Sequence, residues 1–283
     1  MLSSRDLVLC SPPVAHIPVT KRLSTAREAG FAGISLLPAD LWDYEAAGGT
    51  ASGLAARIAD EGLAVAEMDC IANWLPGHCG TAGPFADALL PLTPARVIDA
   101  AQRLGARSVA VAEIAGVDAA PDQAAEAFAG ICDMAAEHGL IVHLEFLPFG
   151  SIRNLASALA IVEAAGRPNG ALTIDSWHFF RSGSSLADLA RVPGARIGSV
   201  QLSDAPAEPA DDVLDEAIGG RLPPGRGALD LAALVRTLDR IGNAAPIGVE
   251  LFSRSDATLP IDDFCTLCGD SARDVLAVAR GDR

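Results

Sequence analysis

Short apolar runs alternate with amphipathic segments along the whole chain. Eight such runs recur, each of the length expected of a buried β-strand. They are Leu7–Cys10, Ala32–Leu37, Ala64–Met68, Ser108–Ile114, Ile141–Phe146, Ala171–Ile174, Ile197–Leu202 and Ile247–Phe252. The segments between them combine Ala, Leu and Arg in the pattern of helices that bury one face. The chain is therefore predicted to alternate strands with helices.

Residues at helix boundaries support this alternation. The clearest helical segments are Ala95–Leu104, Pro121–His138, Leu155–Ala165 and Leu229–Ile241. Proline favours the first position of a helix, and glycine favours the position after its last turn. Pro121 opens one of these segments, and Gly105 and Gly139 each follow one.

Eight strand–helix units predict a (β/α)8 TIM barrel, in a single domain over residues 1–283. The alternative is a doubly wound sheet, which would carry a G-x-G-x-x-G sequence after its first strand. No such sequence follows the first apolar run. We therefore expect the barrel.

Composition excludes several classes of function. Half of the residues are hydrophobic and the mean hydropathy is +0.31, so the chain is expected to fold around a large core. The 36 acidic and 21 basic residues leave a net charge of −15. Because nucleic acids and anionic membranes attract surfaces rich in Lys and Arg, we expect neither as a partner.

The cysteines and the N-terminal sequence indicate a cytoplasmic protein. The six cysteines are scattered, as is usual in a reducing compartment: Cys10, Cys70, Cys79, Cys132, Cys265 and Cys268. The last two form a lone CxxC pair, which we interpret as two ordinary positions of a C-terminal helix. No signal-peptide core or membrane-spanning run is predicted.

Polar residues stand at the ends of the last four predicted strands. In chain order they are Glu145, Asp175 and His178, Gln201 and Asp204, and Glu250. The C-terminal ends of barrel strands meet at one face, which is where active sites of this fold lie. Unpaired carboxylates within apolar runs would be costly, and several together would repel one another. A bound divalent cation would remove both problems.

We therefore predict a metal site formed by Glu145, Asp175, Gln201 and Glu250. Three carboxylates and one amide oxygen form a hard donor set that suits Mg²⁺ or Mn²⁺. Each residue alone is equally consistent with a salt bridge or a turn. The coincidence at four consecutive strand ends favours the shared site.

Five sequence strings resemble the xylose isomerase-like TIM barrels: HLEFLPF, TIDSWHFF, VQLSDAP, RLPPGRGALDL and GVELFS. This group includes ketose 3-epimerases, inosose dehydratases and 3-dehydroshikimate dehydratases. The resemblance implies that Glu145, Asp175, Gln201 and Glu250 hold a divalent metal. It also implies that His178 and Arg221 contact substrate oxygens, and by analogy that the protein forms a homo-oligomer.

The chain departs from part of this group at the seventh strand. Many of the epimerases have His there, whereas this chain has Gln201, which resembles some dehydroshikimate dehydratases. The early strands also lack the zinc-binding histidines of the related DNA-repair endonucleases. The departure weakens the epimerase interpretation and leaves the metal site intact.

The resulting hypothesis is an isomerase or epimerase that acts on a small polyhydroxylated keto substrate. The metal would stabilise an enediolate formed when a proton leaves the carbon beside the carbonyl. Glu145 and Glu250 are the candidate base and acid. Expulsion of a β-hydroxyl from the same enediolate would make the enzyme a dehydratase, and a non-catalytic metal- or sugar-binding barrel is the alternative of another class.

Several residues near the early strand ends have no assigned role at this stage. Trp74 is a candidate apolar wall for the substrate. Glu67, Asp69 and Glu113 are as consistent with salt bridges as with substrate contacts, and His143 is interpreted as a core histidine.

Overall fold

A computed structural model of the protein describes residues 2–77 and 86–281. Its eight strands are all parallel and form a closed barrel in chain order, with the last strand paired to the first. The strands are β1 (Leu7–Leu9), β2 (Gly33–Leu36), β3 (Ala64–Ile71), β4 (Ser108–Ala112), β5 (Ile141–Glu145), β6 (Gly170–Asp175), β7 (Ile197–Leu202) and β8 (Ile247–Val249). The predicted TIM barrel is confirmed.

Helices surround this barrel on the outside. In chain order they are α1 (Val19–Glu28), α2 (Pro38–Ala46), α3 (Ala51–Asp60), α4 (Ala86–Leu89), α5 (Pro94–Leu104), α6 (Pro121–Ala136), α7 (Leu155–Ala165), α8 (Ser176–Arg181), α9 (Leu186–Leu189), α10 (Val213–Gly219), α11 (Leu231–Arg240) and α12 (Ile261–Arg280). Short 3-10 turns lie at Pro12–Val14, Gly194–Arg196 and Asp256–Thr258. The four helices predicted from the sequence are present, and α7 has the predicted bounds.

The core lies between the barrel and its helices, and its residues follow the sequence pattern. All five residues of β4 are buried because helices cover its outer face and the barrel encloses its inner face. On α5, Val97, Ala101 and Leu104 form a buried stripe, and Gly105 ends the helix with φ of +66°.

Two further expectations concern the cysteines and the membrane. Cys265 and Cys268 lie on α12 and are buried free thiols. Cys10, Cys70 and Cys132, elsewhere in the fold, are also buried free thiols. Cys79 lies outside the described residues. Among the helices of residues 2–77 and 86–281, none is long and apolar enough to cross a bilayer.

Candidate active site

A cavity of about 320 Å³ opens at the C-terminal face of the barrel. Its floor consists of five ionisable side chains: Asp69, Glu145 and Glu250 lie at or next to strand ends, His178 lies on α8, and Arg221 follows α10. All five are largely buried, so their charges interact through protein rather than through bulk water.

A cluster with the geometry of a metal site joins Glu145 and His178 of this floor to the buried Asp175. One donor atom of each residue lies within 4.8 Å of the others. Asp175 ends β6 and caps α8, accepting a 2.8 Å hydrogen bond from the backbone N–H of His178. This cap turns the imidazole towards β5, where its Nε2 lies 3.6 Å from Oε1 of Glu145.

Arg221 bridges two of the predicted metal ligands. Its Nη1 lies 2.9 Å from Oδ2 of Asp175 and 3.2 Å from Oε2 of Glu250. Its Nε donates to the carbonyl of Ala217, and its Nη2 lies 3.2 Å from Nε2 of His178. Arg221 therefore offsets part of the carboxylate charge that the sequence interpretation assigned to a metal alone.

Gln201 lies beside Asp175 in the sheet, since the two residues are paired in the register of β7 and β6. Its Nε2 donates to Oε1 of Glu67 at 3.3 Å. Its Oε1 is buried and has no hydrogen-bond partner among the described residues.

The chemistry of these side chains fits a divalent cation. In the part of the chain that the structure describes, Oε1 of Glu145 and Oε1 of Gln201 are buried acceptors without a donor. Such atoms are costly unless something electropositive meets them. Carboxylate and amide oxygens, with one imidazole nearby, form a donor set suited to Mg²⁺, Mn²⁺ or Zn²⁺. The ligand set predicted from the sequence stays a prediction, with His178 as an additional candidate ligand.

Comparison with known proteins agrees with this architecture. The profile of the xylose isomerase-like TIM barrel matches residues 23–264. The chain belongs to this family. Among solved structures, the IOLI protein with a binding zinc atom superposes with a TM-score of 0.84 at 19% identity, over 96% of this chain and 98% of that one. At that identity, the likeness concerns the fold alone.

The matches to two curated relatives cover only part of the length of each relative. An inosose isomerase of Bacillus licheniformis is 35% identical over 129 residues, which are 45% of this chain and 45% of that protein. A 3-dehydroshikimate dehydratase of Pseudomonas aeruginosa is 27% identical over 236 residues, which are 82% of this chain and 36% of that protein. The matched regions thus span less than half the length of either relative.

Burial dominates the electrostatics of this xylose isomerase-like site. It raises the pKa of the Glu145 and Glu250 carboxyls well above the ordinary value, and repulsion among the site's carboxylates adds to the rise. Burial also raises the pKa of Asp69 to about 6 and lowers that of His178 to about 3. His178 is therefore neutral, and a neutral imidazole that accepts from Arg221 at Nε2 carries its proton on Nδ1.

A second layer of polar side chains lies deeper in the barrel and contains His143 and Glu67, whose roles the sequence left undecided. His143 contacts Thr173 at 2.7 Å and Ser108 at 3.1 Å, and its Nε2 lies 3.3 Å from Oε2 of Glu67. Burial lowers the pKa of His143 to about 3 and raises that of Glu67 to about 7. His143 is a buried core histidine, in line with its interpretation from the sequence.

Two other residues fall outside the floor of the cavity. Glu113 accepts hydrogen bonds from the backbone N–H groups of Val117 and Ser151, so it joins the loops after β4 and β5. Trp74 is buried, and its indole donates to the carbonyl of Ala112 at 3.0 Å. Trp74 is not among the described residues that line the cavity, and its role as a substrate wall stays a prediction.

The segment after β7 contributes residues that sequence reasoning missed. Leu214 and Ile218 of α10 line the cavity, and both are exposed. Glu216 fixes this helix by accepting hydrogen bonds from the Trp177 indole and from Arg181. Apolar residues at i and i+4 within an acidic stretch were a sequence signal for a short helix with one apolar face.

Proposed function

We propose that this protein is a divalent-metal-dependent enzyme that modifies a small sugar or keto-sugar, as an isomerase or epimerase. The observation that carries the proposal is the convergence of Glu145, Asp175, Gln201 and Glu250 at one end of the barrel, with donor-free oxygens on two of them. The relatives named inosose isomerase and 3-dehydroshikimate dehydratase support a keto substrate.

The metal would be held by Glu145, Asp175, Gln201 and Glu250; His178 could join them only by giving up the hydrogen bond that its Nε2 accepts from Arg221. When bound, the cation supplies Lewis-acid polarisation of a substrate carbonyl. Mn²⁺ or Mg²⁺ suits the oxygen ligands, and a contribution from the His178 imidazole would favour Mn²⁺ or Zn²⁺.

Glu145 and Glu250 are the residues proposed to move the proton. Burial raises the pKa of both carboxyls towards the range in which a group can accept and return a proton near neutral pH. Glu145 has an oxygen without a hydrogen-bond partner among the described residues, whereas Glu250 contacts Arg221. This difference assigns proton abstraction to Glu145 and proton return to Glu250.

His178 and Arg221 are proposed to orient the substrate. His178 Nδ1 is a buried donor without an acceptor in the part of the chain that the structure describes. It can therefore donate to a substrate oxygen without giving up another hydrogen bond. Arg221 donates to Asp175, Glu250 and Nε2 of His178, and so fixes the positions of all three side chains.

Dehydration is the second candidate function. The 3-dehydroshikimate dehydratase match extends over 82% of this chain, against 45% for the inosose isomerase match. The same two carboxyls would then remove the proton and protonate the departing hydroxyl.

The test is hydrogen exchange in deuterated water, followed by NMR on the metal-loaded protein with ketoses, ketocyclitols and dehydroshikimate. Glu145→Gln and Glu250→Gln should each lower the exchange rate by about 100-fold or more. The matched control Glu163→Gln, exposed on α7, should leave it unchanged. Formation of an absorbing aromatic diol would identify the dehydratase, and metal binding without exchange on any substrate would instead indicate a binding barrel.

A further inference from the structure

The walls of the cavity differ sharply in chemistry from its floor. Above the ionisable floor, apolar side chains line it from the segments that follow seven different strands. They include Leu37, Ile114, Leu147, Phe149, Ile218 and Phe252. Among the described lining residues there is no Ser, Thr, Asn, Gln or Lys side chain.

The outer rim is apolar and open to solvent. Ile114 is 37% exposed, Leu214 is 41% exposed and Ile218 is 51% exposed, and all three line the cavity. Exposed apolar side chains that cluster around one opening mark a binding surface, since each isolated one would be unremarkable. A ligand that covers them gains free energy by removing apolar area from water.

The charge of the site argues against a substrate that carries a phosphate or carboxylate group on the part that would lie along the cavity wall, here called its tail. Arg221 is the one Arg or Lys side chain among the described lining residues. Its guanidinium is 2% exposed and already contacts Asp175, Glu250 and the carbonyl of Ala217. An anionic tail would therefore meet carboxylates and hydrocarbon without a free cation to bind it.

A free polyol tail fits this wall no better. Hydroxyl groups placed against Phe149, Ile218 and Phe252 would lose hydrogen bonds to water and find no partner in these hydrocarbon side chains. That loss makes the binding of a polyol weaker than the binding of a hydrocarbon of the same shape.

We propose that the substrate joins a hydroxyketone head, placed on the ionisable floor, to an uncharged apolar substituent that lies against the apolar lining residues, among them Phe149, Ile218 and Phe252. The hydroxyketone head is inferred from the proposed function, because it is the part of the substrate that the residues of the floor would act upon. The apolar substituent is inferred from the lining residues of the wall alone. The substrate class is thus a ketose derivative or keto-cyclitol with an alkyl or aromatic group in place of a free polyol or phosphate tail.

Three probes with the same head separate these possibilities: erythrulose, erythrulose 4-phosphate and 4-deoxy-4-phenyl-erythrulose. For each, calorimetry gives the Kd on the metal-loaded protein, and NMR in deuterated water gives the exchange rate beside the carbonyl. We expect the phenyl compound to bind at least about tenfold more tightly than erythrulose, since one phenyl group buried on an apolar wall contributes that much or more. The phosphate should bind more weakly than both.

Two matched variants locate the effect on the wall. Ile218→Ser should raise the Kd of the phenyl compound about fivefold and leave the Kd of erythrulose unchanged. Val278→Ser is the control, because Val278 on α12 is 48% exposed and is not among the residues that line the cavity. It should change neither Kd.

The outcomes distinguish this inference from the proposed function. If erythrulose or its phosphate binds as tightly as the phenyl compound or more tightly, the inference of an apolar substituent is wrong. Hydrogen exchange on those two probes would still support the proposed function. Tight binding of the phenyl compound without exchange supports the substituent and overturns the enzyme. If Ile218→Ser changes no Kd but dissociates a dimer in sedimentation, the rim is a subunit interface and the proposal fails.

Discussion

The amide nitrogen of Gln201 donates to Glu67 across the interior of the barrel, at 3.3 Å. The other oxygen of Glu67 lies 3.3 Å from Nε2 of His143. Oε1 of Glu67 accepts this hydrogen bond, so the nitrogen of the Gln201 amide faces Glu67 and its oxygen faces away. Glu67 therefore determines which atom Gln201 presents to the other residues at the strand ends.

This relationship predicts that Glu67→Ala weakens metal binding without removing a ligand. Loss of a residue that orients a metal ligand typically lowers affinity by about 10- to 100-fold, and we expect about tenfold here. Glu67→Gln keeps an acceptor for the Gln201 amide and should remain within about twofold of the wild type. Competition with a fluorescent chelator measures all three affinities. Equal affinity in Glu67→Ala, with Gln201→Ala impaired, would show that Gln201 needs no such support.

The ion pairs of Arg221 predict how the stability of the protein depends on bound metal. In Arg221→Met, the buried carboxylates of Asp175 and Glu250 lose their cation, which should lower the free energy of unfolding of metal-free protein by about 3 kcal/mol. Excess divalent metal should restore part of that loss, because it neutralises the same carboxylates. Urea unfolding with EDTA and with metal measures both effects.

The control for this variant is Arg254→Met, since Arg254 pairs with Asp215 on the surface. An exposed pair contributes less than about 1 kcal/mol, so little change is expected with or without metal. An Arg221→Met protein as stable as the wild type in EDTA would mean that the carboxylates take up protons instead.

The barrel and the placement of the site were predictable because both depend on local periodicity. Parallel strands with both faces covered are continuous apolar runs, and a polar residue that ends such a run must lie at the C-terminal face. This reasoning brought Glu145, Asp175, Gln201 and Glu250 to one end of the barrel. His178 was identified from the same strand ends, and the family resemblance added Arg221; the structure places both beside these residues.

The remaining features depend on contacts between loops, which have no periodicity. Arg221 reaches the floor because two antiparallel bridges, Asp204 with Leu222 and Gly220 with Ser253, join the segments beyond β7 and β8. No sequence spacing indicates that pairing. The strand-end carboxylates thus followed from the strands, whereas the position of Arg221 and the apolar wall of α10 depend on how the loops fold.

Burial of the site predicts an unusual dependence of stability on pH in metal-free protein. The folded-state pKa is raised to about 7 for Glu67 and raised well above 4.5 for Glu145 and Glu250. Glu67, with a folded-state pKa of about 7, therefore still holds part of a proton just above pH 6.5, where the unfolded chain has released it, and stability falls as pH rises. Below pH 6.5 the opposite effect of His143 and His178, each with a folded-state pKa of about 3, makes the dependence shallower.

We expect the free energy of unfolding to fall by at least about 1 kcal/mol between pH 6.5 and 8, since each carboxyl that keeps its proton contributes up to about 1.4 kcal/mol per pH unit. Urea unfolding in EDTA at several pH values measures the slope. Adding metal should flatten it, because a bound cation favours the ionised carboxylates. A stability that rises over this range would mean that these carboxyls are ionised in the folded protein.

The hydrogen bonds of Glu216 predict how readily residues 206–215, the segment that leads into α10, open locally. Its Oε1 accepts from the Trp177 indole at 2.8 Å and from Arg181 at 2.7 Å, and its Oε2 accepts from the backbone N–H of Ala210 at 2.6 Å. Glu216→Ala leaves the buried indole N–H without an acceptor and releases residues 206–215 from α8. Removal of a partner from a buried polar group costs about 1–3 kcal/mol, enough to increase local opening at least fivefold.

Limited proteolysis with mass spectrometry measures that opening as faster cleavage within residues 206–215. Glu208→Ala is the matched control, because Glu208 lies in the same segment with its side chain exposed. If both variants are cleaved at the wild-type rate, α10 is held by its apolar contacts and Glu216 is dispensable. Faster cleavage in Glu216→Ala alone, with the rest of the barrel intact, would show that one buried carboxylate fixes the α10 side of the cavity.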